Sequence, residues 1–210
     1  MTRYALEERR ALCETFLRTG PDAATLCEGW TTRDLATHLL LRERRPDAQL
    51  GRVLPVLAGH AASVEHDVRG TAWPELVGIL RSGPPAWSPS RLPAVDELVN
   101  TVEMFVHHED VLRAQPGWTA RPLPKGLQQA LWRNLRVLGR LTLRRVPVGV
   151  ELVAPGLGRL PVHAGSPVVR VEGPPAEVLL FVAGRRDHAR VDLAGPNPAV
   201  GQLRASPLGV

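Results

Sequence analysis

The 210-residue sequence is short of several things, and each shortage excludes a class of protein. It has two cysteines, Cys13 and Cys27, too few for the disulfide framework of a small secreted domain. No apolar run approaches the roughly 20 residues of a membrane helix, and the N-terminus lacks the apolar segment of a signal peptide. We therefore expect a soluble cytoplasmic protein with reduced cysteines and no membrane partner.

Lysine is almost absent, since Lys125 stands against 25 arginines. Together with abundant Ala, Leu, Gly and Pro, this bias is typical of the GC-rich coding of high-GC bacteria rather than of selection for a basic surface. The formal charge of +5 is divided unevenly: residues 1–120 carry 13 basic and 16 acidic side chains, whereas residues 121–210 carry 13 and 5. The two parts of the chain thus have net charges of −3 and +8.

Residues 1–120 have the periodicity of helices. Thr31 and Asp34 form a capping-box pattern at the start of the second helix, and Pro46 marks its end. The predicted segments are an opening helix, then 31–45, 53–69 with a continuation over 73–82, and 95–114. This pattern predicts a four-helix bundle with one long connection.

From residue 121 onward the pattern changes. A basic helix is predicted within 121–146, and residues 147–210 contain short strands separated by Gly and Pro. One short helix, P-P-A-E-V-L-L-F-V-A-G, interrupts these strands, with Gly184 as its C-terminal cap. The sequence therefore predicts an α+β protein: a helical domain over 1–120, a connecting basic helix over 121–146 and a small α/β domain over 147–210.

Three polar side chains lie on apolar helix faces of the predicted bundle. Glu103 and His107 are four residues apart and so project from the same face of the last helix, while His38 lies among leucines on the second. Two imidazoles and a carboxylate suit a divalent metal with an open coordination position. The alternative is structural: a core histidine, or Glu103 accepting a hydrogen bond from His38 or His107.

Other residues near this set have several interpretations. His108 is rotated about 100° from the face of His107 and is expected to pack or be solvated. Asp110 is a candidate to orient the imidazole of a ligand, although helix capping or solvation explains it equally well. Cys27 is interpreted as a core residue, with a role as fourth ligand or redox group left open. Arg42 is four residues from His38, where it could hold an anionic substrate.

The motifs G-W-T-T-R-D-L-A-T-H-L, E-M-F-V-H-H-E-D and G-P-P-A-E-V-L-L-F-V-A-G-R-R resemble the DinB-like superfamily. More narrowly, they resemble the actinobacterial proteins related to mycothiol-dependent maleylpyruvate isomerase, over nearly the whole chain. The resemblance implies a DinB-like four-helix bundle followed by a small α/β domain. It also implies a divalent metal, usually zinc, on His38, Glu103 and His107, with mycothiol as co-substrate.

The function expected from this resemblance is a mycothiol-dependent S-transferase or isomerase. Its partners are a small thiol and a small electrophile near the interdomain cleft, where Arg42 and Arg185 could bind substrate. The alternatives are a non-catalytic or regulatory metal-binding protein and a metal-dependent hydrolase with Glu109 or Asp110 as base, although the H-E-x-x-H motif is absent. The arginine stripe of the 121–146 helix is interpreted as a solvated face, so no nucleic-acid partner is expected, and the protein is expected to be a monomer or homodimer.

Overall fold

The computed structural model describes residues 3–51, 54–88 and 99–209, apart from the side chain of Leu50. The chain divides into two compact units, Met1–Ala120 and Arg121–Val210. No helix in the described part of the chain is long and apolar enough to cross a membrane.

The first unit is built from helices joined by loops. A 3₁₀ turn at Pro55–Leu57 precedes its fourth α-helix. Its α-helices are α1 (Arg3–Thr19), α2 (Thr32–Arg44), α3 (Pro46–Leu50), α4 (Ala58–Gly70), α5 (Trp73–Arg81) and α6 (Thr101–Arg113).

The start and the end of α2 lie at the residues predicted from the sequence. Thr31 caps α2: its side chain accepts from the backbone N–H of Asp34, and the Asp34 carboxylate accepts from the backbone N–H of Thr31. Pro46 follows the end of α2 and opens the short helix α3, because proline has no N–H to satisfy in a first turn. The last predicted helix, 95–114, corresponds to α6, and its residues 95–98 lie outside the described residues.

Four helices of the first unit contribute to one main core. Helix α1 packs against α5 and α6, and α2 packs against α3, α4 and α5. The side chains of this core are Leu12, Cys13, Phe16, Leu35, Ala36, Leu39, Leu40, Leu76, Val77, Leu80, Met104 and Val111. Whether these helices have the arrangement of a DinB-like bundle stays a prediction.

The second unit packs helices with a four-stranded sheet of order β2-β1-β3-β4. Strand β1 pairs antiparallel with β2 and parallel with β3, and β3 pairs antiparallel with β4. The elements are α7 (Lys125–Thr142), β1 (Gly149–Ala154), β2 (Gly158–His163), β3 (Val168–Glu172), α8 (Pro175–Val182), β4 (Asp192–Ala194) and α9 (Asn197–Ala205). The α+β class is therefore confirmed.

Helix α9 is absent from the sequence-based prediction. Its nine residues bury only Ala199 and Leu203, so they carry too little apolar periodicity to indicate a helix. The short helix α8 begins at Pro175, and Gly184 follows it with φ +91°, a left-handed conformation that favours glycine.

Candidate metal centre

Helices α2 and α6 bring together the three side chains that the sequence singles out. The Oε1 atom of Glu103 lies 3.7 Å from Nε2 of His38 and 3.3 Å from Nε2 of His107. One donor atom of each residue lies within 4.8 Å of those of the other two. We call these three residues the His38 trio.

These separations suit ligands of one metal ion better than hydrogen-bonded partners. Zinc bonds of about 2.0–2.2 Å in tetrahedral geometry place neighbouring N and O donors roughly 3.4 Å apart. Good N–H···O hydrogen bonds are shorter, with heavy-atom distances of about 2.7–3.2 Å. The donor set, two imidazoles and one carboxylate, therefore fits a divalent cation with little movement.

The trio is accessible from solvent. The side chains of His38, Glu103 and His107 are 18%, 26% and 12% exposed, respectively. His38 also lines a cavity of about 300 Å³ next to Trp30, whose ring centroid lies 5.2 Å from that of His38. The remaining lining residues are Gly29, Asp34, Leu41, Glu65 and Arg69.

The charges at the trio are set by its neighbours. Burial by itself would raise the pKa of Glu103, but the nearby imidazoles of His107 and His38 and the charge of Arg42 hold that pKa well below its ordinary value. Burial would likewise lower the pKa of His107, but its contacts with Asp110, Cys27 and Glu103 raise it well above the ordinary value. In the metal-free protein a proton on His107 therefore occupies a position that a cation would take, so metal binding must release it.

Arg42 lies inside the site rather than at its edge. Its Nε atom is 3.4 Å from Oε1 of Glu103, the same oxygen that faces both histidines. Its Nη1 atom donates to Oδ1 of Asn100 at 3.1 Å. A guanidinium and a metal ion would compete for the Glu103 oxygen, because both are attracted to its negative charge.

Asp110 lies on the other side of the His107 ring. Its Oδ2 atom is 2.9 Å from Nδ1 of His107, and its side chain is fully buried. This is the position from which a carboxylate fixes the tautomer of a ligand imidazole, leaving Nε2 for the metal. The corresponding Nδ1 of His38 is buried and has no hydrogen-bond partner among the described residues, so its orientation depends on packing.

The two residues that follow His107 in the sequence contact side chains outside the His38 trio. His108 is buried, with Nδ1 3.2 Å from Oε2 of Glu8 and Nε2 3.0 Å from Oγ1 of Thr15 on α1. Glu109 accepts a hydrogen bond of 2.6 Å from Nε of Arg113. Neither residue is thus placed as a part of the His38 trio.

The remaining candidates lie away from the trio or in the other unit. His60 and His66 on α4 are exposed, and His60 contacts Asp47 at 2.7 Å. Arg185 belongs to the second unit, where its Nη1 donates to the carbonyl of Ala183 at 2.6 Å. Its role in substrate binding stays a prediction.

Sequence reasoning did not place Trp30 or Asn100 at the site. Trp30 is adjacent to the capping residue of α2, eight positions before His38. It belongs to the motif G-W-T-T-R-D-L-A-T-H-L that also contains His38, and this shared motif could have indicated its place at the site. Asn100 immediately precedes α6, and its side chain accepts a hydrogen bond from Arg42 on α2. Such a contact between residues 58 positions apart leaves no local sequence pattern.

Comparison with known proteins identifies the architecture. No family model and no curated protein matches the sequence. Two solved structures match its structure: the mycothiol-dependent maleylpyruvate isomerase, with a TM-score of 0.56 and 19% identity, and a histidine-to-alanine mutant of it, with 0.58 and 17%. Each match covers 92% of this chain and 96% of that chain. This chain shares their fold. At these identities the likeness does not extend to the reaction.

Proposed function

We propose that this protein is a metal-dependent thiol enzyme, a mycothiol-dependent S-transferase or isomerase that acts on a small electrophile. The observation that carries the proposal is the His38 trio: three metal-type donors at the separations of co-ligands, partly exposed, on the fold of a mycothiol-dependent isomerase. His38, Glu103 and His107 would hold the cation, with zinc as the metal that best suits two nitrogens and one carboxylate oxygen.

A bound divalent cation lowers the pKa of a coordinated thiol and so supplies a nucleophile at neutral pH. Asp110 holds Nδ1 of His107 and directs its Nε2 toward Glu103. The cavity beside Trp30 and His38 offers about 300 Å³ for the body of a thiol or of its acceptor, within the ordinary size of a small-molecule site. No protein cysteine is required as the nucleophile.

In the proposed enzyme Arg42 binds an anionic group of the substrate. In the metal-free arrangement it shares the Glu103 oxygen with the two histidines. With a cation held by Glu103, the guanidinium, hydrogen-bonded to Asn100 in the metal-free protein, would be available to an anionic group of the substrate. An electrophile bearing a carboxylate is therefore the expected substrate class.

Thiol consumption by the zinc-loaded protein tests the proposal. Mycothiol and a panel of carboxylate-bearing electrophiles, maleylpyruvate included, are incubated with wild type, His38→Ala and the matched variant His66→Ala, which changes an exposed histidine of the same unit. We expect turnover, measured as loss of free thiol or as isomerised product, in wild type and His66→Ala but not in His38→Ala. Turnover that persists in His38→Ala would contradict the proposal.

The second candidate is a non-catalytic metal-binding or regulatory protein. The position of Arg42 favours it, since a guanidinium beside the carboxylate ligand occupies space that a substrate would need. The variant Arg42→Gln separates the two candidates. Its control is Arg10→Gln, which changes an exposed arginine on α1. For an enzyme, Arg42→Gln should raise KM for anionic electrophiles; for a binding protein, it should only tighten metal binding by removing a competing charge.

A metal-dependent hydrolase is less well supported. The two carboxylates that sequence reasoning offered as its base are both engaged, Glu109 with Arg113 and Asp110 with Nδ1 of His107. Cleavage of esters or amides by the zinc-loaded protein in the absence of thiol would favour it over the thiol enzyme.

A further inference from the structure

A second group of metal-type donors meets the opposite nitrogen of His107. The atoms are Sγ of Cys27, Nδ1 of His107 and Oδ2 of Asp110, and one donor atom of each residue lies within 4.8 Å of those of the other two. We call these residues the Cys27 trio. It shares the imidazole of His107 with the His38 trio but uses the nitrogen that does not face Glu103.

The loop that carries Cys27 is fixed to α6 by the backbone. The N–H of Leu26 donates to the carbonyl of Asp110 at 3.0 Å, and the side chain of Gln115 donates to the carbonyl of Ala24 at 3.0 Å. Oγ1 of Thr25 accepts from the backbone N–H of Cys27 and donates to the carbonyl of Trp30. These bonds hold the thiol in place beside the helix, so its approach to Asp110 follows from the loop fold.

The distances within the Cys27 trio are close to those of a coordinated ion. Sγ of Cys27 lies 3.4 Å from Oδ2 of Asp110, and Nδ1 of His107 lies 2.9 Å from the same oxygen. Zinc bonds of about 2.3 Å to sulfur and about 2.0 Å to nitrogen and oxygen place the donors roughly 3.3–3.5 Å apart, and a larger soft ion places them somewhat further apart. The sulfur–oxygen pair is already near this separation. The nitrogen–oxygen pair is hydrogen-bonded in the metal-free protein and would have to widen by about 0.4 Å or more.

The two trios differ in charge and in softness. A dication bound by a thiolate and a carboxylate is neutralised, which matters because the Asp110 side chain is fully buried. A dication in the His38 trio meets one carboxylate, and Arg42 adds a positive charge nearby. Thiolate sulfur prefers soft ions, whereas the His38 trio offers only nitrogen and oxygen donors.

From this geometry we infer that Cys27, His107 and Asp110 form a soft-metal site, for ions such as Cd²⁺, which competes with the His38 trio for His107. Binding releases the thiol proton of Cys27 and the Nδ1 proton of His107 to solvent, while Nε2 of His107 keeps its proton in the zinc-free protein or takes one up from solvent as zinc leaves it. A neutral imidazole has one free nitrogen lone pair, so it can serve either trio but not both. A soft ion would thereby withdraw a ligand from the zinc site.

Ultraviolet titration of the zinc-free protein with Cd²⁺ tests this inference, because a cadmium–thiolate bond has a charge-transfer band that nitrogen and oxygen ligands lack. We expect the band to saturate at about one Cd²⁺ per chain. It should be lost in Cys27→Ser and retained in Cys13→Ser, the matched cysteine variant, and in His38→Ala. In zinc-loaded protein, each Cd²⁺ bound should release one zinc ion.

Three results would overturn the inference: no charge-transfer band in the wild type, a band that survives in Cys27→Ser, or binding of Cd²⁺ that leaves zinc in place. Cadmium X-ray absorption on the wild type gives the same answer without a variant, since the inference requires one sulfur neighbour at the ion. The outcome is separate from that of the proposed function. Thiol turnover without a cadmium–sulfur bond refutes this inference alone, and the band without turnover refutes only the proposed enzyme.

Discussion

The two units bury polar side chains of different kinds. In the first, charged groups lie in the interior as pairs between or within helices: Arg9 with Glu43, His108 with Glu8, and Arg113 with Glu109. In the described part of the second, the buried polar residues are Asn134, Thr142, Glu177 and Ser206. Burying charge is costly unless it is paired, and the first unit places such pairs beside its apolar core, whereas the described interior of the second unit holds fewer ionisable side chains.

This difference determines how well sequence periodicity predicts which polar residues are exposed. In the second unit a polar residue on a helix or strand usually marks the exposed face, and its strands and the helices α7 and α8 follow the predicted pattern. In the first unit six charged helix residues are buried, so a charge on a helix does not by itself mark the exposed face. The His38 trio is distinguished there not by burial but by its partial exposure beside a cavity.

Removing one partner of a buried pair should give the largest effect. In Glu43→Ala the Arg9 side chain, fully buried against Leu80, loses its carboxylate, and we expect a loss of about 3–5 kcal/mol in the free energy of unfolding. The matched change in the second unit is Glu151→Ala, which frees the exposed Arg159 and should cost less than about 1 kcal/mol. Urea denaturation followed by circular dichroism and tryptophan fluorescence measures both. Equal losses would remove the contrast between the units.

The pH dependence of stability should also separate the units. Burial raises the pKa of Cys13, in the core of the first unit, to about 11 from 9.0. Between pH 9 and 11 the unfolded thiol ionises while the folded one stays protonated, so the stability contributed below pH 9 is lost as pH rises. The loss approaches about 2.7 kcal/mol, or 1.36 kcal/mol per pKa unit.

Cys13→Ala is the control for this titration. The chain has a single lysine and a single tyrosine, so few other groups titrate in the same range. Subtracting the stability profile of the variant from that of the wild type should isolate the slope due to Cys13. Parallel profiles above pH 9 would show that the thiol does not hold its proton on folding.

Two helix glycines, one in each unit, should respond to alanine with opposite signs. A Cβ at Gly139 on α7 would lie 2.9 Å from Cγ1 of Val162, so Gly139→Ala should cost about 1–3 kcal/mol in the apolar core of the second unit. A Cβ at Gly78 on α5 meets nothing within 4 Å, and Gly78→Ala should stabilise the first unit by up to about 1 kcal/mol. Thermal unfolding of both variants measures this, and two shifts of the same sign would contradict the packing at Gly139.

Much of the fold could be predicted from the sequence, because local signals specify it. The Thr31–Asp34 capping box, Pro46, and the alternation of the strands all act within a few residues. Helix α9 was missed because it is short and buries two small or aliphatic side chains. The α+β class follows from these local signals, and the shared fold with the isomerase agrees with it.

The site could be predicted only in part. The four-residue spacing of Glu103 and His107 defines a helix face, which is why the trio could be proposed before the structure was known. The engagement of Arg42 by Glu103 and Asn100, and the approach of Cys27 to Asp110, join residues 58 to 83 positions apart. The contact of Cys27 depends on how the loop before α2 lies against α6, and those of Arg42 depend on where α2 places its side chain, and no periodicity encodes either.

Metal content after growth with zinc, measured on wild type, His38→Ala, His66→Ala and Cys27→Ser, tests the central claim most directly. The account predicts about one zinc per chain in the wild type. It predicts loss of that zinc in His38→Ala and its retention in the other two variants. Zinc that remains in His38→Ala but is lost from Cys27→Ser would contradict the claim that His38, Glu103 and His107 form the metal centre.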